Sequence, residues 1–173
     1  MNRFGKTVRI LGLDPGLRHT GWGLIQVCGH HLTPVAQGTI HTDSKLSLAE
    51  RLNTLYQGLS EVIQTHHPDE AVVEETFVNA NPASALKLGM ARGVVLLAPA
   101  SYTIPVFEYS ANKIKKSVVG VGHADKTQVL IMVQRLLPTL QTELKTDAAD
   151  ALAAAICHAH HRTLTEFTHL KVS

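Results

Sequence analysis

From Val8 to Asp14 the chain alternates so that Val8, Ile10, Gly12 and Asp14 share one face of a predicted strand, which breaks at Pro15-Gly16. Gly12 removes the side chain beside the acid and leaves the backbone open to close approach. Two more extended runs, Thr20 to Val27 and Leu32 to Ile40, are joined through Gly29-His30-His31 and predict an antiparallel meander. The period then changes. Leu48, Leu52, Leu55, Leu59 and Val62 recur at steps of 4, 3, 4 and 3, a helical stripe that begins near Leu46 and ends before Pro68. Ala71-Val72-Val73 predicts a short buried strand ending on Glu74-Glu75. Asn81-Pro82 opens the next helix, Ile104 to Phe107 predicts a fifth strand, and helical segments follow from about Ser110, Asp125 and Thr146. This order predicts one α/β domain over residues 1–173. Its sheet has five strands, three antiparallel and then parallel ones, with helices on both faces. The ordered core is expected at about 7–162, with Thr163 to Ser173 as a loose tail.

A chain of 173 residues can bury a core without disulfide staples, and its two cysteines, Cys28 and Cys157, show neither metal-ligand spacing nor a disulfide framework. That favours a reducing cytoplasm. Arg3, Lys6 and Arg9 interrupt the first apolar run, and the longest uncharged apolar stretch, Val94 to Ala100, is too short for a bilayer, so no membrane role is expected. The net charge of +2 is mildly basic and consistent with nucleic acid without demanding it.

The candidate chemistry lies in carboxylates at element ends. Asp14 closes a strand, and Asp-Pro-Gly taken alone reads first as a turn. Asp147 and Asp150 open the last helix behind Thr146 as its N-cap, 60° apart at 100° per residue, on the face shared with Ala151, Ala154, His158 and His161. Leu152 and Ile156 point the opposite way. The plainer alternative is that Asp147 complements the helix dipole and Asp150 is solvated. Glu74 and Glu75 also end a strand, and neighbours on a strand face opposite ways, so only one of them can join Asp14; spacing leaves that choice open. Carboxylates sharing one cleft repel unless a cation neutralises them, and an all-oxygen set suits Mg²⁺ or Mn²⁺. Four of them suffice for two metals about 4 Å apart.

Lys113, Lys115 and Lys116 precede a glycine loop, Val118 to Gly122, that enters a helix at Asp125-Lys126 and so offers backbone amides and cations to phosphates. A solvated basic face is the bland reading of the same residues. The eleven histidines suggest zinc, but His158 stands eight residues beyond Asp150. That is about 12 Å along a helix, too far to share its metal, and His158, His160 and His161 read as surface residues.

Taken together, ILGLDPG at 10–16, TGWG at 20–23, VVEETF at 72–77, SALKLGMARG at 84–93, VVGVGHADK at 118–126 and TDAADALA at 146–153 closely resemble the RuvC family of Holliday-junction resolvases. The resemblance runs in order from about residue 8 to 161. It implies an RNase H-like fold, a homodimer, and Mg²⁺-dependent symmetric nicking of two opposed strands of four-way junction DNA, leaving ligatable 5′-phosphate and 3′-hydroxyl ends. It also implies partnership with the branch-migration complex of RuvA and RuvB. By motif it makes Asp14, Glu74, Asp147 and Asp150 the metal-binding and catalytic acids, and so prefers Glu74 to Glu75. Asp150 is the position where family members can carry histidine. Phe77 matches an aromatic set against bases near the junction point, and Lys115 and Lys126 match positions associated with DNA binding and catalysis, with Lys113 and Lys116 beside them. The helix from Asn81 to Ala98 is the expected dimer interface, on its small and apolar residues. Two rivals are a nucleotide-binding domain of the actin and Hsp70 type, for which 173 residues leave no second lobe, and a DNA-binding relative without activity, against which the four acids argue.

Overall fold

The computed structural model describes residues 7–75, 81–140 and 143–170, with side chains as far as residue 162. Its five strands are β1 (Val8–Asp14), β2 (His19–Cys28), β3 (His31–His41), β4 (Glu70–Glu75) and β5 (Val106–Ser110). They lie in the order β3-β2-β1-β4-β5, with β1–β2 and β2–β3 antiparallel and β1–β4 and β4–β5 parallel. The mixed sheet expected from the periodicity is therefore present, as are helices on both of its faces.

Alternation along the strands sorts the core into two layers. Leu11, Leu13, Leu24 and Val73 point to one face, where α1 (Leu48–His66) and α2 (Pro82–Ser101) cover them through Leu55, Leu59, Ala91 and Val95. Val8, Ile10, Ile25 and Val72 point to the other, under α3 (Ala111–Val119), α4 (Lys126–Leu136) and α5 (Thr146–Leu170). The helix boundaries follow local chemistry. Ser47 and Glu50 form a capping box at α1, Asn81 caps α2 ahead of Pro82, and Asp125 and Gln128 form a second box at α4.

α5 lies directly on the first two strands because the sequence clears its path. A Cβ on Gly12 would stand 1.9 Å from the Ala151 carbonyl oxygen, and one on Gly21 would stand 2.0 Å from that of Asp147. The close approach expected at Gly12 is this helix. Its facing surface is largely alanine, so backbone meets backbone at Gly12 and Gly21, while Leu152, expected on the opposite side, packs its side chain over Gly23.

Several expectations are corrected. The fifth strand starts at Val106, not Ile104, because Thr103 has φ 60° and the Ile104 amide donates to the Pro99 carbonyl, which ends α2. Thr146 is the first residue of α5 rather than its cap; the Lys145 carbonyl accepts from the Ala149 amide. α5 continues through Leu170 across most of the stretch expected as a tail. α2 is long and apolar enough to cross a membrane by length and composition, yet it carries Lys87 and Arg92 and packs on α1 through Ala91, Val95 and Ala98.

Candidate active site

Asp14 and Glu74 are the last or nearly last residues of adjacent parallel strands, and alternation turns both toward α5. The chain turns sharply after Asp14 and is pinned there. The Thr20 hydroxyl donates to the Gly16 carbonyl at 2.6 Å, the Thr42 hydroxyl donates to the Leu17 carbonyl, and Arg51 Nε donates to the Thr42 hydroxyl at 3.0 Å. The turn and the acid thus coexist, with Pro15-Gly16 ending the strand while Asp14 faces inward.

The result is an open cleft of about 150 Å³ lined by Asp14, Glu74, Asp150, Lys115 and Lys126, with Ile114, Val129 and Ala153 as its apolar wall. Three of the four expected acids therefore share one space. Asp147 does not line it, although its charge acts on Asp14. Glu75 points to the opposite face of β4, as alternation requires.

Burial, the Glu74 charge and the Asp150 charge push Asp14 up to about 8, against an ordinary 3.8. Burial first, then Asp150, push Glu74 up to about 7, while Lys115 and Lys126 pull it down. Asp150 is raised mainly by burial, opposed by Lys126, whose Nζ sits 3.2 Å from its Oδ2. That contact in turn raises Lys126. The cleft thus gathers buried carboxylates whose mutual repulsion Lys115 and Lys126 only partly offset, and this favours a small cation.

Among the described residues no three acid, histidine or cysteine side chains already close around one point. The donor chemistry nevertheless fits a hard divalent ion, since the facing groups are carboxylate oxygens held on strand and helix ends, and Lys126, the cation paired with Asp150, is two-thirds exposed.

Of the described basic residues, Lys115 and Lys126 are the ones that line this cleft. Lys113 places its ammonium 4.3 Å over the Tyr109 ring, and Lys116 is exposed in the last turn of α3. The glycine loop adopts a left-handed turn at Gly120, but the α4 amide of Gln128 is taken by the Asp125 carboxylate. Phe77 lies outside the described residues.

His158 is a second correction. It is 3% exposed, not a surface residue, with Nε2 2.9 Å from Glu70 Oε2 and Nδ1 2.9 Å from the Tyr109 hydroxyl. Arg162 Nε donates to Glu70 Oε1 at 2.9 Å. Sequence reasoning missed this cluster. The signal for it was present, because Glu70 shares a strand face with Glu74 and His158 shares a helix face with Asp150.

The family model for RuvC, crossover junction endodeoxyribonuclease, matches residues 10–158. A protein of that name from Paramagnetospirillum magneticum is 60% identical over 155 residues, covering 90% of this chain and 93% of its own. One from Agrobacterium fabrum is 54% identical over 158 residues, covering 91% and 92%. Among solved structures, T. thermophilus RuvC in complex with a Holliday junction substrate superposes with a TM-score of 0.84 at 30% identity, over 91% of this chain and 96% of that one.

Proposed function

Because the chain belongs to the RuvC family of crossover junction endodeoxyribonucleases, we propose that it resolves four-way DNA junctions by metal-dependent nicking of two opposed strands. The observation that carries this reading is the convergence of Asp14, Glu74 and Asp150 on one cleft, with cations on its rim. Asp14, Glu74 and Asp150 would hold Mg²⁺ in the cleft, with Asp147, one turn before Asp150 on α5, completing the set for two ions per site, and Mn²⁺ would substitute. When bound, the ions neutralise charge at the phosphodiester and supply an attacking water at neutral pH.

The protein's own groups do the rest. Asp14 and Glu74 give up the protons that burial and mutual repulsion now favour, and so offer two anionic oxygens on a rigid sheet. Lys126 leaves Asp150 and, with Lys115, meets the non-bridging oxygens of the scissile phosphate. Lys113 and Lys116 hold neighbouring phosphates. In-line attack opposite the 3′ oxygen leaves a 5′-phosphate and a 3′-hydroxyl, which a ligase can join. Phe77, three residues beyond Glu74, stacks on an unpaired base near the branch point, a contact of about 1–3 kcal/mol.

Two opposed nicks call for two sites related by a two-fold axis, and a homodimer supplies them. α2 suits that interface, since Leu86 is 62% and Leu97 58% exposed. The protein acts in the cytoplasm alongside the RuvA and RuvB branch-migration complex. A nicking assay on a synthetic four-way junction tests the reading. Paired cuts are expected with Mg²⁺, none with EDTA, and little on linear duplex; junction binding without cutting at any Mg²⁺ concentration would make the protein a scaffold.

A further inference from the structure

Four polar side chains, Glu70, Tyr109, His158 and Arg162, meet under the C-terminal half of α5, with Tyr109 reaching His158 from a β5 position paired with Glu74. The nicking reaction uses none of them directly. Their arrangement is nonetheless specific. Glu70 receives both of its partners on separate oxygens, Oε2 from His158 and Oε1 from Arg162. The Nε2 of His158 therefore carries its hydrogen toward the carboxylate, while Nδ1 meets the Tyr109 hydroxyl. Phe107 and Tyr109, neighbours on one face of β5, pack tilted rings against the imidazole, with centroids at 4.3 and 5.8 Å. A buried histidine with both nitrogens engaged and its ring packed has one orientation.

The spacing ties this cluster to the acids. Glu70 and Glu74 lie on one face of β4, four residues and about 13 Å apart. His158 and Asp150 lie on one face of α5, eight residues and about 12 Å apart. α5 runs antiparallel to β4, so the pairs Glu74 with Asp150 and Glu70 with His158 are matched rungs between the same two elements. Lys126–Asp150 and Ser117–His160 tie α5 to its neighbouring helices, whereas the Glu70 cluster ties it to the sheet itself, on which Ala151 and Asp147 sit close against Gly12 and Gly21. A slide of one residue, about 1.5 Å, would spoil a metal site.

We propose that Glu70, with His158, Tyr109 and Arg162, is a positioning clamp that sets the axial register of α5 on β4 and thereby the separation of Asp150 and Asp147 from Asp14 and Glu74. These are positioning residues, since none touches the cleft. The inference rests on the reading that the four acids bind a divalent ion.

The test is Mn²⁺ affinity of the DNA-free protein, by electron paramagnetic resonance or calorimetry, at a temperature where every variant is folded by circular dichroism. Glu70→Ala is expected to weaken Mn²⁺ binding about tenfold or more, and His158→Gln similarly. Glu70→Gln, which keeps an acceptor oxygen, is expected to fall between them and the wild type. Val95→Ala, in the core layer on the other face of the sheet, lowers melting temperature without changing Mn²⁺ affinity. In cleavage, Glu70→Ala raises the Mg²⁺ concentration at half-maximal rate while the rate at saturating Mg²⁺ stays within a few-fold of wild type. Unchanged Mn²⁺ affinity in folded Glu70→Ala overturns the clamp, as does an equal weakening in Val95→Ala. A wild type that binds no Mn²⁺ overturns the metal reading as well, so the two failures are distinguishable.

Discussion

At the scale of single residues, the decisive property of the cleft is that its carboxylates are too close and too buried to ionise freely. Asp14 is held at about 8 and Glu74 at about 7, from ordinary values of 3.8 and 4.5. Both lie above their unfolded values, so between about pH 4 and pH 8 the folded chain keeps protons that the unfolded chain has lost. Stability from this source is fully present below that window and is lost as pH rises through it. Thermal melts of the metal-free protein should therefore show Tm falling from about pH 5 to pH 8, with Asp14→Asn flattening the fall and Mg²⁺ reversing it at the upper end. A Tm that rises with pH across this window, in a wild type without metal, would show that the acids are not confined together. Glu74 and Glu75 separate at the same scale. Glu74→Gln is expected to abolish nicking and Glu75→Gln to spare it, because only Glu74 faces α5; gel assays of the two variants decide it.

At the scale of elements, the acids meet because one helix is allowed to touch the sheet. Gly12→Ala places a methyl into the Ala151 carbonyl, within 1.9 Å of its oxygen, where both atoms belong to rigid backbone. The helix has to lift. The expected cost is about 3 kcal/mol, or roughly 6–12 °C in Tm, with nicking lost even at temperatures where the variant is folded. A variant with wild-type Tm and activity would mean that α5 is not seated there.

Much of this was legible in the sequence because it rests on local periodicity. The period-2 face of Val8, Ile10, Gly12 and Asp14 and the 4-3-4-3 stripe of α1 are where they were expected, and the face of α5 carrying Asp150 does meet the strand ends. What was illegible depends on neighbours distant in sequence. His158 looks like one more exposed histidine until Glu70 and Tyr109, 88 and 49 residues away, are placed over it. The start of β5 was misplaced because Ile104 belongs to the closure of α2, a contact with Pro99 that hydrophobicity does not reveal. Asp147 shares a helical turn with Asp150 yet stops short of the cleft lining, since helical angle fixes a direction and not a depth.

At the scale of the whole molecule, one site per chain explains one nick, and resolution of a junction needs two. The exposed apolar residues of α2, Leu86, Met90 and Leu97, are the surface that a second copy would cover. Replacing Leu86 and Leu97 by lysine should convert dimer to monomer in analytical ultracentrifugation and reduce paired cuts to unpaired ones. A dimer that survives both changes places the interface elsewhere. The account as a whole depends most on Asp14, where the first strand, the pinned turn and the cleft come together. Its most direct test is single-turnover nicking of a four-way junction in Mg²⁺ by Asp14→Asn, with junction binding measured in parallel. The expected result is a loss of cleavage of more than ~100-fold with binding retained; cleavage at the wild-type rate would contradict it.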